Sequence, residues 1–231
     1  MIAIAGGMIR SGSTFAFNVL REALLVDGTV EVASSNSIPE AAYLRSNREH
    51  FILKSHAPDE AVLEKIRRRV LPCVCTIRNP VDAISSWMHT FDLPIESGIE
   101  SVRTWLTWYT SVKTEVLTIQ FDEIEMDPLS AIDRIVRYIG VPLAPQFAAA
   151  LAEKYSKVAL KRQYDALERT EGAVDLGFSY YDPVTFFHRR HISNPEAGHA
   201  GGELRPDQTS RIQTELRDFL ERDDLSALLA R

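Results

Sequence analysis

The sequence lacks a long apolar run, since its longest apolar stretches fall well short of the roughly 20 residues that a membrane-spanning helix needs. The apolar segment at residues 2–5 has neither the basic flank nor the cleavage site of a signal peptide. These two absences predict a chain without a membrane span, and a mature protein that starts at or near Met1.

Cysteine is scarce, with only Cys73 and Cys75 in the chain. The two alternate along an apolar segment, so a strand would point both to the same face. So few potential partners favour buried, reduced thiols over a disulfide or a metal site, and the six histidines form no ligand pattern. We therefore expect no bound metal, and reduced thiols without a signal peptide predict a cytoplasmic protein.

An excess of positive charge is also missing, because the formal net charge is -6. This balance argues against a general nucleic-acid binder or a protein of anionic membrane surfaces. Basic residues gathered in one cleft are still compatible with an anionic small molecule. The 231 residues are 45% hydrophobic and show no compositional break, which predicts one domain over residues 1–231.

The most informative stretch is residues 2–26, where a short apolar run is followed by a turn rich in Gly, Ser and Thr and then by apolar residues at helical spacing. This order predicts strand, loop and helix. Such a loop presents backbone N–H groups and the positive end of a helix dipole, so a phosphate is its natural ligand. A plain turn with small residues for tight packing is the alternative.

The Walker lysine is absent from this loop. Compared with the pattern GxxxxGK[ST], the chain has Gly7 and Gly12 at the right spacing, but Ser13 stands where the lysine belongs and Thr14 follows. A cation occurs earlier, as Arg10. The loop can therefore hold phosphate without being built like that of an NTPase.

Further strands are predicted near residues 29–33, 51–54, 73–77 and 116–121, each followed by a helical pattern. Residues 145–167 form a long helical stretch that can be broken once, and residues 206–222 form a closing amphipathic helix. Strands separated by helices predict an α/β fold with an open, mostly parallel sheet flanked by helices and a site along its carboxyl edge. The Gly-, Pro-, His- and Arg-rich residues 170–205 are typical of a lid or binding loop.

Three short segments follow predicted strands, and together they resemble the sulfotransferases that use 3′-phosphoadenosine 5′-phosphosulfate (PAPS). Residues 10–14, Arg-Ser-Gly-Ser-Thr, resemble that family's 5′-phosphosulfate loop, with arginine in place of the usual lysine. Lys54 and His56 match its KxH element, and Arg78 and Ser86 have the spacing of its 3′-phosphate element. Residues 121–124 and 139–142 are similar to two further family stretches, and residues 189–192 match its late RKG segment loosely.

The resemblance implies a P-loop-like sulfotransferase fold that transfers a sulfuryl group from PAPS to a hydroxyl or amine without a metal, leaving 3′-phosphoadenosine 5′-phosphate (PAP). It implies a catalytic role for His56 as base, Lys54 at the sulfuryl oxygens and Arg10 at the leaving oxygen. The implied nucleotide-binding residues are Arg10, Ser11, Gly12, Ser13, Thr14, Phe15, Arg78, Ser86, Arg189 and Arg190.

Other interpretations of these residues stay open at this point. His56 can cap a helix, Lys54 can be a surface lysine, Arg78 can pair with Asp82, and Glu203 is a reserve base. The alternative functions are a P-loop kinase for a small metabolite and a non-catalytic nucleotide-binding protein of the same fold. The missing Walker lysine and the spacing between Arg78 and Ser86 favour the sulfotransferase.

The acceptor is not specified by the sequence: a small molecule, a lipid or a glycan is compatible, and the oligomeric state is open. Its pocket is expected from residues 34–38, 91–97 and 170–187. Four aromatic residues suggest a lid: Tyr180, Tyr181, Phe186 and Phe187. Trp105 and Trp108 have the spacing of a core-facing helix, so we expect them to pack rather than to line the site. The acidic pair at residues 122–123 is either a Walker B mimic or a helix cap.

Overall fold

The centre of the protein is a five-stranded sheet, described by a computed structural model that covers residues 1–44, 49–176, 180–188, 204–222 and 225. Its strands are β1 (Ile2–Ala5), β2 (Thr29–Ser34), β3 (Glu49–Lys54), β4 (Cys73–Ile77) and β5 (Leu117–Gln120). The spatial order is β2-β3-β1-β4-β5, and every pairing in it is parallel. The carboxyl ends therefore meet at one edge, and the loop after β1 lies at its middle.

Helices cover both faces of this sheet. They are α1 (Ser13–Asp27), α2 (Glu60–Arg67), α3 (Pro80–Phe91), α4 (Ile95–Thr110), α5 (Phe121–Met126), α6 (Pro128–Tyr138), α7 (Pro145–Lys154), α8 (Lys157–Ala166) and α9 (Pro206–Arg222). Short 3₁₀ helices form at Glu40–Leu44 and Leu167–Arg169. One core contains residues of α2, α3, α4 and α9, and the other contains residues of α1, α6, α7 and α8. The predicted α/β fold is confirmed.

Alternation along β1 divides its side chains between the two cores. Ile4 is buried in one core, and Ala3 and Ala5 are buried in the other. β4 has the bounds predicted from the sequence, and all five of its residues are buried. Cys73 and Cys75 are free, buried thiols with their Sγ atoms 3.8 Å apart, as expected of residues on one face of a strand.

Helix starts follow from local capping chemistry. Asn79 Oδ1 accepts from the backbone N–H of Val81 at 2.8 Å, and Pro80 occupies the first turn of α3. Ser156 interrupts the long helical stretch, because its side chain accepts from the backbone N–H of Ala159 and starts α8. The single break predicted for residues 145–167 is thus found between α7 and α8.

Residues 170–188, called the late segment from here on, contain more regular structure than the sequence predicted. A two-stranded antiparallel sheet joins β6 (Val174–Asp175) to β7 (Tyr180–Tyr181). Tyr181 also forms an isolated bridge with His188, so the chain doubles back on itself. Among the residues described, no helix combines the length and the apolar character needed to cross a membrane.

Candidate functional site

The loop after β1 continues along β4 before it enters α1. The backbone N–H of Gly6 donates to the Val74 carbonyl at 2.8 Å, and that of Met8 donates to the Thr76 carbonyl at 2.9 Å. A Cβ at Gly7 would lie 2.2 Å from Thr76 Oγ1, so only glycine fits this approach.

Two residues of the loop have left-handed backbone conformations, Arg10 with φ 55° and Gly12 with φ 85°. Such a conformation is unusual for arginine, and it is held here by the loop around it. The first N–H groups of α1 have no helical acceptor of their own and lie at the positive end of the helix dipole. The loop at residues 6–14, called the phosphate loop from here on, therefore has the strand, turn and helix geometry predicted from the sequence, and its binding of phosphate stays a prediction.

Ser11 anchors this loop rather than presenting its hydroxyl to a ligand. Its Oγ donates to the Met8 carbonyl oxygen at 2.6 Å. The same Oγ lies 2.9 Å from the Thr76 carbonyl oxygen and 2.7 Å from Thr76 Oγ1. Ser13 is buried at the start of α1, and Phe15 is buried in an edge contact with Tyr155 at 6.3 Å.

Lys54 ends β3 beside the loop. Its side chain is buried, and Nζ donates to Thr14 Oγ1 at 2.8 Å. Burial, reinforced by the charge of Arg10, lowers the pKa of Lys54 to about 7. The interpretation of Lys54 as a surface lysine is therefore wrong, since its ammonium lies against the first turn of α1.

His56 lies two residues further on, at the rim of the same cleft. Its Nδ1 is 2.6 Å from the Gly7 carbonyl oxygen, which can only accept, so the proton is on Nδ1 and Nε2 is the acceptor of the neutral ring. Surrounding protein and the Lys54 charge lower the pKa of His56 to about 4, although the residue keeps exposed surface. The free site therefore favours the neutral imidazole.

Two tryptophans of α4 hold the loop and the histidine in place. Trp105 Nε1 donates to the Gly6 carbonyl at 2.7 Å, and Trp108 Nε1 donates to the His56 carbonyl at 2.9 Å. The sequence predicted packing for both, and they do pack, with their rings 5.6 Å apart. Their role in positioning was missed, and the available signal was that a buried indole N–H needs an acceptor.

Arg10, Arg78 and Ser86 meet at the other side of the loop. Arg10 Nε donates to the buried Ser86 Oγ at 3.0 Å, and Arg78 Nη1 donates to the Arg10 carbonyl at 3.2 Å. Burial and the charge of Arg78 lower the pKa of Arg10 to about 10, and burial lowers the pKa of Arg78. The two guanidiniums therefore lie close together at a place that favours anions.

Arg78 also packs over the ring of Phe121, with 4.1 Å from its guanidinium carbon to the ring centroid. The charge of Asp82 acts on Arg78 and raises its pKa, although burial is the larger effect. Glu123, from the acidic pair that resembled a Walker B element, pairs instead with Arg134 at 2.5 Å on the surface of α5 and α6.

The late segment brings a residue that the sequence analysis did not assign. His188 packs against Tyr181 at a tilt, with ring centroids 4.5 Å apart, and Lys54 Nζ lies 5.6 Å from the Phe186 ring centroid. Burial and the charges of Lys54 and Arg10 lower the pKa of His188 to about 4, which places it in the field of the cationic site. Phe187 is buried against Tyr164 at 4.9 Å rather than exposed as a lid residue.

Arg189, Arg190 and Glu203 lie outside the described residues. Within the described part of the chain, no group of three or more His, Cys, Asp and Glu side chains is arranged to hold a metal ion.

A family model for the sulfotransferase domain matches residues 17–173, which is more than half of the 231-residue chain. The chain belongs to the sulfotransferase family. The match confirms the family predicted from the loop, the KxH element and the Arg78 element. It begins four residues after the start of α1, so the loop itself was identified by its own sequence and geometry.

Solved structures show that this sulfotransferase shares its fold with other members. Mouse sulfotransferase SULT7A1 complexed with PAP is 14% identical and matches with a TM-score of 0.65, over 99% of this chain and 86% of the other. Retinol dehydratase in a complex with retinol and PAP is 14% identical with a TM-score of 0.57, over 97% and 82% of the two chains. Retinol dehydratase with androsterone and PAP gives 14% identity and a TM-score of 0.54, over 97% and 81%. No curated protein matches the sequence significantly.

Proposed function

We propose that this sulfotransferase transfers the sulfuryl group of PAPS to the hydroxyl or amine of an acceptor, with His56 as the base. The observation that carries the proposal is the convergence of three separate sequence elements on one loop. Lys54 contacts Thr14, Arg78 contacts Arg10, and His56 contacts Gly7. The three similar solved structures named above contain PAP, which supports the choice of nucleotide.

The nucleotide would be held by the loop and by the arginine pair. The N–H groups at the start of α1 and the Thr14 hydroxyl bind the 5′-phosphate, and Lys54 contacts the sulfuryl oxygens. Arg78 and Ser86 bind the 3′-phosphate, with Arg189 and Arg190 as further arginines for it. Because Ser86 Oγ accepts from Arg10 in the free protein, that serine also holds Arg10 next to the leaving oxygen.

In the transfer step, His56 Nε2 takes the proton of the acceptor hydroxyl while the acceptor oxygen forms a bond to sulfur. The bond between sulfur and the 5′-phosphate oxygen breaks, and its electron pair stays on the phosphate of PAP. Arg10 and Lys54 stabilise the negative charge that develops there. The Nδ1 contact with Gly7 keeps the imidazole in the tautomer that this step needs.

The acceptor is proposed to be a small hydroxylated molecule. Lipids and glycans also carry hydroxyl groups that can accept a sulfuryl group. Two similar structures contain retinol and androsterone. In this protein, Phe91 lies at the end of α3 with its ring centroid 6.0 Å from the Arg10 guanidinium carbon, and the Trp87 ring packs against it at a tilt, with the centroids 4.6 Å apart. An aromatic wall beside the cationic site suits an apolar alcohol better than a highly polar one.

We also propose a cytoplasmic location for the protein. Cys73 and Cys75 are buried, free thiols with their sulfur atoms 3.8 Å apart. Free thiols are typical of proteins from a reducing compartment. Fractionation of the native host cell would test this proposal, which fails if the protein is found outside the cytoplasm.

Titration calorimetry with PAP, and in parallel with ATP plus magnesium, tests the nucleotide assignment. We expect PAP to bind tightly without added metal, and Arg78→Ala to weaken that binding at least about tenfold, as loss of a charge-assisted contact does. Arg137→Ala is the matched control, because Arg137 is an exposed arginine paired with Asp133 away from the site. A preference for magnesium ATP would contradict the proposal and favour a kinase.

A further inference from the structure

Asn18 joins the helix of the phosphate loop to the late segment of the chain. It is fully buried in α1, and its Nδ2 donates to the Thr14 carbonyl at 2.8 Å and to the Thr185 carbonyl at 2.9 Å. Thr14 is one helical turn away, whereas Thr185 is distant in sequence. A single amide group therefore links two parts of the site that are far apart in sequence.

The two carbonyl groups bound by Asn18 belong to segments that both lie beside the ammonium group of Lys54. Thr14 Oγ1 accepts from Lys54 Nζ, and the residue after Thr185 is Phe186, whose ring faces that Nζ at 5.6 Å. The amide thus fixes two sides of the surroundings of Lys54. His188 lies two residues further along the same segment, within the field of Lys54.

The contact is built for placement more than for stability. Asn18 Oδ1 is buried and has no hydrogen-bond partner among the described residues, which costs free energy that an apolar side chain would avoid. Phe186 has a left-handed backbone with φ 56°, an unfavourable conformation for a side chain of its size. A strained segment of this kind needs support from outside, and the bond to the Thr185 carbonyl supplies it next to the strained residue.

We propose that Asn18 is a positioning residue, which holds residues 182–188 against the phosphate loop and thereby sets the affinity of the sulfotransferase for its nucleotide. The nucleotide part of this inference rests on the proposed function, and the placement of the segment does not.

Asn18→Leu tests the proposal, because leucine has a similar size and no donor. In the free protein, hydrogen exchange at the Phe186 and Phe187 amides should be about fivefold to tenfold faster, as expected for loss of one net hydrogen bond. Exchange in β1 and β4 should not change. The dissociation constant of PAP and the KM for PAPS should rise about tenfold, with kcat at saturating PAPS within about twofold of wild type.

Two further variants separate placement from general stability. Asn18→Ser keeps a donor that can bond the Thr14 carbonyl one turn back but is too short for Thr185, so it should behave like Asn18→Leu and serves if that variant does not fold. Gln163→Leu removes an amide bond of the same type, from Nε2 to the Lys154 carbonyl at 2.9 Å on the surface, and should leave both readouts unchanged.

Unchanged exchange at residues 182–188 in both Asn18 variants would overturn the proposal, and so would faster exchange with unchanged PAP affinity. If the wild-type protein does not bind PAP, the proposed function is wrong, and exchange alone then decides the placement: faster exchange in Asn18→Leu supports it and unchanged exchange overturns it.

Discussion

Nucleotide affinity should fall as the pH rises from about 7 to about 9, because Lys54 loses its proton in the free protein over that range. Burial and the neighbouring Arg10 hold the pKa of Lys54 at about 7, well below the ordinary value of 10.5. A bound polyanion favours the charged form and raises that pKa again. Binding in this range is therefore coupled to the uptake of a proton by Lys54.

The size of the effect follows from the fraction of Lys54 that is charged before binding. With a pKa of about 7, that fraction is about one half at pH 7 and about one hundredth at pH 9. If Lys54 stays charged in the complex throughout, affinity falls about 50-fold between these pH values, or about 2 kcal/mol.

Stability of the free protein should change in the opposite direction. The unfolded chain binds more protons than the folded one between about pH 7 and 10.5, so stability rises with pH there.

Calorimetric titration with PAPS, without acceptor and in two buffers of different ionisation enthalpy, counts the protons taken up. We expect about 0.9 proton per PAPS at pH 8, from a Lys54 that is about nine-tenths neutral before binding. Lys54→Arg is the control, since its guanidinium stays charged and should flatten the dependence on pH. A wild-type affinity that is constant from pH 7 to 9, without proton uptake, would refute the reasoning.

Three substitutions test other parts of the site. His56→Gln should lower turnover at least about 100-fold, as loss of a general base does, and leave PAP affinity within about threefold; turnover like that of wild type would rule out His56 as the base. Trp108→Phe removes the 2.9 Å bond to the His56 carbonyl, so kcat should fall about tenfold with unchanged nucleotide affinity, and a fall in affinity alone would argue against this role. Gly7→Ala places a Cβ 2.2 Å from Thr76 Oγ1. Calorimetry should then show loss of PAP binding, and thermal unfolding should show that the protein is destabilised by about 1–3 kcal/mol. Normal PAP binding would mean that the loop can move to accommodate the added Cβ.

The sheet and its carboxyl edge were predictable from the sequence because their signals are local. Apolar runs of strand length, each followed by a helical pattern, gave the bounds of β4 and the order of elements. Lys54 ends a strand and His56 and Arg78 follow strands, so a parallel sheet brings all three to one edge whatever the detailed packing. The spatial order β2-β3-β1-β4-β5 then explains why the KxH strand and the Arg78 strand flank the phosphate loop.

Contacts between distant parts of the chain were not predictable, because no spacing in the sequence encodes them. The bond from Asn18 to Thr185 spans 167 positions, and that from Trp108 to His56 spans 52. Nothing in the spacing of the sequence assigns a role at the site to His188. The bridge to Tyr181 turns the chain back and brings that imidazole into the field of Lys54 instead.

The depressed pKa values of the site share one cause, and it explains why such a site suits a polyanion. Burial is the largest cause for Arg10, Lys54 and His188, and the positive charge of a neighbouring residue adds to it in each case. Holding them together costs stability in the free protein, and a nucleotide with several negative charges removes that cost when it binds. The free site therefore stores part of the binding energy for PAPS in its own repulsion. His56 beside it is neutral in the free site, first because the surrounding protein disfavours its charged form and second because of the Lys54 charge, so its Nε2 is in the form that can accept a proton.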